Sequence, residues 1–234
     1  MISPDAIDFG YLVIQHDGDV VHDRRTNGGG AQGYTVSLGT GLTAWWDCVV
    51  ELGYDHAPAD GEPSRLTQAV IASTFELTRP GEAFVDLGLY VEYGQTLVSK
   101  NTAKTNEITF GPAIGKDIGR TTHTLNLLFT RPLGPDQTST GLDFGYAWQS
   151  RWNVWEVLSP AVEVYGDAGP LGDSPRLSRQ HVLAGPVALG SVGFADLGIG
   201  HAGRLKYELG WLFGATPATP AGTLRWHLEL EIPF

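Results

Sequence analysis

The chain has 234 residues, 42% hydrophobic and 18% charged, with seven Trp, one Cys and a formal charge of −11. Aromatics at 10% exclude a disordered chain, and a lone Cys excludes an internal disulfide or a cysteine-rich metal site. The acid excess argues against a nucleic-acid partner, which needs a basic face. Glycine, at 31 residues, is about twice its usual ~7% share, which suits tight turns and close strand approach and suits helices poorly.

No segment reads as a membrane-spanning helix. The longest conspicuous uncharged stretch, His181 to Ala195, falls short of the ~20 residues required and is interrupted by Gly and Pro. Ser3, Pro4, Asp5 and Asp8 follow Met1, with neither the basic nor the apolar region of a secretory signal. The chain therefore reads as a cytosolic protein or as a mature sequence, and the strand pattern decides between them.

Taken in chain order, twelve segments alternate apolar and polar residues with a period of two: 8–22, 32–40, 43–56, 65–78, 82–95, 105–115, 119–132, 139–151, 159–167, 178–190, 203–214 and 222–234. In the third, Trp46, Cys48, Val50, Leu52 and Tyr54 alternate with Asp47, Glu51 and Asp55. In the fifth, Val85, Leu87, Leu89, Val91 and Tyr93 oppose Asp86, Gly88, Glu92 and Gly94. The eighth sets Leu142, Phe144, Tyr146 and Trp148 against Asp143, Gly145, Ala147, Gln149 and Arg151. The eleventh sets Leu205, Tyr207, Leu209, Trp211 and Phe213 against Arg204, Lys206, Glu208 and Gly210. The last is strictest, with Leu224, Trp226, Leu228, Leu230, Ile232 and Phe234 against Arg225, His227, Glu229, Glu231 and Pro233. The first, second, fourth and tenth are less clean. Odd-to-even connections are long and polar and most even-to-odd connections are short, with 190–203 an exception that could hold irregular structure. The pattern predicts an all-β fold: one antiparallel up-and-down barrel of about twelve strands spanning 1–234, with loops on one rim and turns on the other.

These features resemble a Gram-negative outer-membrane β-barrel of the porin and transporter type. The even strand number and alternating loops and turns carry the likeness. So do the aromatics near strand ends (Trp46, Tyr54, Tyr93, Trp148, Trp211, Trp226 and Phe234). The ending Trp226, Leu228, Leu230, Ile232 and Phe234 resembles the signal by which that family's assembly machinery recognises its clients. The phrases FGPAIGKDIG, LDFGYAWQSRW and LKYELGWLFG are similar to uncharacterised proteobacterial barrels grouped with phenol-degradation transporters. The resemblance implies a bacterial outer-membrane location, in contact with membrane lipid and lipopolysaccharide. A soluble barrel or sandwich also alternates, with its apolar face inward. The Gly-rich polar face and the large aromatics at strand ends oppose that alternative.

With the apolar face toward lipid, the phase of each segment turns Asp47, Glu51, Asp55, Glu76, Asp86, Glu92, Glu107, Asp143, Glu163, Asp167, Glu208, Glu229 and Glu231 inward. The inward bases are Arg151, Arg204, Lys206 and Arg225, with His227 titratable. Asp47, Glu51, Asp86, Glu92 and Asp143 form an expected acidic wall, and Arg204, Lys206, Arg225 and His227 an opposing patch. A transverse field of this kind favours small hydrophilic solutes, cations above all. The expected function is a passive channel, neither enzyme nor cofactor carrier. Inward glycines are read as making room in the bore, and no inserted segment is long enough for a separate plug domain. Charges pairing across the lumen would instead give a closed barrel with a structural or loop-binding role.

Catalysis has weaker support. Outer-membrane phospholipases use a Ser–His–Asn arrangement, and the nearest clusters here are His123 with Thr124 and Asn126, and Asp55, His56 and Asp60 at the loop rim. His16–Asp23 mixes acids and histidines without metal-loop spacing. Arg24 and Arg25, beside Asn27, could meet lipopolysaccharide phosphates. Cys48 falls on the lipid phase.

Overall fold

A computed structural model describes every residue except 24–29, 57–64, 98–105, 135–140 and 201. Twelve strands run in chain order: β1 (Tyr11–His22), β2 (Gln32–Thr43), β3 (Trp46–His56), β4 (Arg65–Glu76), β5 (Asp86–Thr96), β6 (Asn106–Ile118), β7 (Thr121–Leu133), β8 (Asp143–Trp152), β9 (Ser159–Pro170), β10 (His181–Gly193), β11 (Arg204–Gly214) and β12 (Gly222–Pro233). Each pairs antiparallel with its sequence neighbours, and β1 pairs with β12, so the sheet closes without an edge. The expected strands are all present, with ends within four residues of the alternation. The connection 194–203 is a tight glycine turn: Gly198, Gly200 and Gly203 have positive φ, and the Phe194 ring lies where a Cβ on Gly203 would stand.

The register turns the apolar phase outward. Leu38, Val50, Ile71 and Leu209, all in strand interiors, expose about half their surface, while Asn126 and Glu163 inside are buried. A soluble barrel requires the reverse, and a continuous apolar belt of this kind is a lipid-facing surface. Aromatics edge it. Toward the loops, Phe110, Phe129 and Phe144 stack in sequence across β6, β7 and β8 at 5.9 and 5.4 Å, and Tyr34 stacks on Tyr54 at 5.0 Å. At the turn rim Trp46 stacks on Phe75 at 5.8 Å.

Histidines also lie on this outer face. His16, midway along β1, accepts a hydrogen bond at Nδ1 from Trp226 Nε1 (3.3 Å), and its Nε2 stands 3.4 Å from the Tyr54 hydroxyl. Both ring nitrogens thereby have an aromatic partner. Trp226→Phe keeps the ring and removes the donor. Unfolding in lipid should show a loss of about 1–2 kcal/mol, the cost of a polar atom left unpaired in an apolar setting.

Candidate lumen site

The inner face carries Gln15, Asp17 and Asp19 of β1 besides the residues expected from the alternation, since Gln15 pairs with Glu229, Asp17 with His227 and Asp19 with Arg225 in the ladder. The sequence reading passed over the two acids because His16 and Gly18 interrupt the apolar phase of 8–22. Tyr90 also points inward and donates to Glu92 (2.6 Å). On β10 the inner phase is apolar: Val187 packs with Ala161 and Leu212, flanked by Tyr165, Leu183 and Leu189. Apolar residues on both faces of β10 leave no alternation to read.

The bases of β11 and β12 are compensated where they stand. Lys206 Nζ lies 2.9 Å from Glu229 and 2.5 Å from Glu231, and Arg204 lies 3.5 Å from Glu156. His227 Nδ1 is 2.9 Å from Asp17, and Glu229 also accepts from Gln15 Nε2 (2.6 Å). The Arg225 guanidinium lies 4.5 Å over the Tyr165 ring. Nearby, Glu163 accepts from Gln149 Nε2 (2.6 Å) and the Tyr165 hydroxyl (3.0 Å). Glu208 is buried on the same inner face.

Among the described residues the acids of the opposite wall have no such basic partner. The charged groups that bear on Glu51 are Glu92 and Asp17, both acids. Glu107 accepts from the neutral amide of Gln68 (3.3 Å). Asp143 stands on the same inner phase of β8. Asp47 is differently engaged: its two oxygens accept the backbone N–H of Ile7 (2.9 Å) and of Thr74 (2.7 Å). Asp86, at the turn rim, accepts from the Gly81 N–H (2.6 Å).

The partner of Asp47 is the feature absent from the sequence reading. Residues 1–9 belong to no strand; they enter from the turn rim and cross the bore. Gly10, at φ 85°, reverses the chain before β1, and Phe9 makes one bridge to Gly41. Ile7 lies against β2 and β3, Pro4 against β5 and β6, and Ile2 on β7, the strand diametrically opposite β1. There the Asn126 carboxamide donates to the Ile2 carbonyl (2.9 Å) and accepts the Ile2 N–H (3.1 Å). The lumen thus holds a segment of chain, a strap much shorter than the separate plug domain that the sequence reading considered.

The strap divides the lumen. An 800 Å³ cavity at the turn end and a 660 Å³ cavity at the loop end share Asp17 and Glu51 in their linings. A third, of 420 Å³, is walled mainly by apolar groups, including Met1, Ile2, Leu128, Tyr165, Leu183 and Pro220. Pro220 belongs to the β11–β12 connection, which is held down by Thr219, whose Oγ1 accepts the Val182 N–H (2.8 Å).

The cluster of His123, Thr124 and Asn126 does not share one face. His123 points outward, stacked on Trp148 and beside Thr121, whereas Asn126 points inward to the strap. Within His16–Asp23, His16 faces outward while Asp17 and Asp19 face the lumen. Among the described residues no group of three or more His, Cys, Asp or Glu could hold a metal ion. Asp60, Arg24, Arg25 and Asn27 lie outside the described residues.

No protein-family model matches the chain, and no curated protein does. Solved structures do match. An outer membrane channel from Pseudomonas putida F1 superposes with a TM-score of 0.58 at 13% identity, over 98% of this chain and 97% of that one. NanC porin gives 0.57 at 6% identity over 94% and 100%. KdgM porin in complex with disordered oligogalacturonate gives 0.54 at 5% identity over 96% and 99%. At such identities the likeness establishes the fold: the chain is a β-barrel of the outer-membrane porin architecture.

Proposed function

We propose that this barrel is a bacterial outer-membrane channel through which small hydrophilic solutes diffuse passively, cations in preference. The apolar outer belt and the porin architecture support the location, which brings lipid and lipopolysaccharide against the outer wall. One observation carries the solute preference: Glu51 lines both of the larger cavities, and among the described residues no basic group pairs with it or with Glu92, Glu107 and Asp143, whereas the bases of β11 and β12 have their acids beside them. Glu51, Glu92, Glu107 and Asp143 set the sign of the field, while Asp47 serves the strap and Asp86 the rim. A polyanion such as the oligogalacturonate bound by the KdgM porin is disfavoured in this lumen.

Planar-bilayer recordings under a salt gradient test this reading. The refolded chain should give discrete steps with a cation-selective reversal potential. Two carboxylates at ~8 Å from the passing ion, each worth ~0.5 kcal/mol in water, attract a cation and repel an anion equally, a difference of about 2 kcal/mol or about thirtyfold at low salt, falling as salt screens it. Glu51→Gln combined with Glu92→Gln should remove most of that preference while leaving the barrel folded. A folded, heat-modifiable barrel without conductance would support a second reading, favoured by the strap: a closed barrel whose loops bind a partner.

A further inference from the structure

The inner wall around residues 1–9 has the features of a binding groove. Four inward glycines line it, and each would collide with the strap if it carried a side chain. A Cβ on Gly41 falls 2.3 Å from the Ile7 carbonyl oxygen, and one on Gly39 falls 2.8 Å from Ile7 Cδ1. On Gly88 it falls 2.4 Å from the Pro4 carbonyl oxygen, and on Gly115 2.9 Å from Pro4 Cγ. Such approaches are closer than real Cβ atoms show, so these glycines do more than widen the bore. Polar groups stand at both ends of the groove. Asn126 reads the N–H and C=O of one residue, Ile2, together, and Asp47 accepts a second N–H, that of Ile7. Both contacts are to backbone, as in recognition of an extended peptide.

We propose that this groove is a luminal binding site for an extended peptide segment, that residues 1–9 are its tethered and displaceable occupant, and that their seating narrows the channel. The inference rests on the channel reading for its consequence, but not for the site itself. Displaceability follows from how little holds the strap. Its backbone donates to Asn126 and Asp47 but joins no ladder beyond the Phe9–Gly41 bridge. Its charge also opposes the wall. Asp5 is held above the usual carboxylate range first by burial and then by Asp86, with Asp117 of β6 and Asp8 of the strap adding to it and Ser3 opposing. Glu76 of β4 also feels Asp5 and Asp8, with Arg79 partly compensating. The Asp5 carboxyl thus binds its proton more tightly when seated than when free. Through Asp5, seating takes up a proton, strengthens as pH falls and weakens as pH rises through that raised value; the Met1 amine, which burial and Arg225 hold below its usual range against Glu208, Glu163 and Asp17, acts in the opposite sense.

The test uses the full chain, the chain lacking residues 2–9, and a labelled, N-acetylated synthetic peptide of residues 1–9, which lacks the titrating amine. The peptide should bind the shortened barrel, more tightly at pH 5 than at pH 7.5. Asn126→Ala should weaken that binding about tenfold, the loss of two backbone hydrogen bonds. An Asp5→Asn peptide should lose most of the pH dependence. In bilayers, deletion should raise the conductance and added peptide should reverse the gain. Gly88→Leu in the full chain should match the deletion, because its side chain occupies the place of Pro4. If the shortened, folded barrel fails to bind the peptide, the site is overturned. If peptide binds while deletion, peptide and Gly88→Leu leave conductance unchanged, the gating role falls and the site stands. If peptide binds and no form conducts, the groove is upheld and the channel reading fails.

Discussion

Replacing Gly111 with valine is expected to leave little folded barrel. A Cβ at this position would fall 1.8 Å from the carbonyl oxygen of Leu127, on the neighbouring strand. Pro112 follows, and the β6–β7 ladder is interrupted between the Phe110–Phe129 and Ala113–Asn126 pairs. Proline offers no N–H to that ladder. The same device recurs at Gly185–Pro186: the β10–β11 ladder is interrupted between Ala184–Phe213 and Val187–Gly210, and a Cβ on Gly185 would fall 2.1 Å from the Trp211 carbonyl. A backbone oxygen cannot rotate aside as a side chain can. The cost should therefore reach or pass the upper end of the ~1–3 kcal/mol usual for overpacking. Urea unfolding in lipid, with the gel shift of unheated samples, measures it. Gly172→Ala, where a Cβ meets nothing within 4 Å, is the control and should change stability by less than about 0.5 kcal/mol. An unchanged midpoint for Gly111→Val would remove the close approach from the account of the fold.

Phe234→Ala should separate folding from assembly. The Phe234 ring is 83% exposed, and the residue's hydrogen bond to the barrel is made by its backbone N–H, which donates to the Gly10 carbonyl (2.9 Å). Refolding in vitro should therefore change by about 0.5 kcal/mol or less. We propose that in cells the outward row Trp226, Leu228, Leu230, Ile232 and Phe234 is read by the barrel-assembly machinery, so the variant's yield in the outer membrane should fall several-fold. Equal yields of variant and parent would assign that row to lipid contact alone. A matching loss of stability in vitro would make Phe234 a packing residue instead.

The twelve strands were legible because lipid outside and water inside impose opposite polarities on alternate residues. Where that contrast weakens, so does the reading. Asp17 and Asp19 were passed over beside His16 and Gly18, whose outward phase is held by Trp226 and Tyr54 rather than by apolarity. The inward Leu183, Val187 and Leu189 were hidden by the equally apolar outer phase of β10. The phrase FGPAIGKDIG, noticed for its resemblance alone, contains the Gly111–Pro112 strand junction and Gly115 of the strap's groove.

Period-two patterning thus determined, from the sequence alone, the barrel, its strand number, its inside and outside, and the acid excess of its inner face. These are local properties, since each residue's phase depends on its immediate neighbours. Which acids stand beside a base, and what crosses the bore, depended on closure. Lys206 and His227 find their acids on β12 and β1, and the backbone of Ile2 meets Asn126 across 124 residues of chain. A segment of nine residues with no period leaves no trace of such a partner. Only the closed barrel, which brings β7 opposite β1, places the strap's clamp and the acidic passage in one lumen.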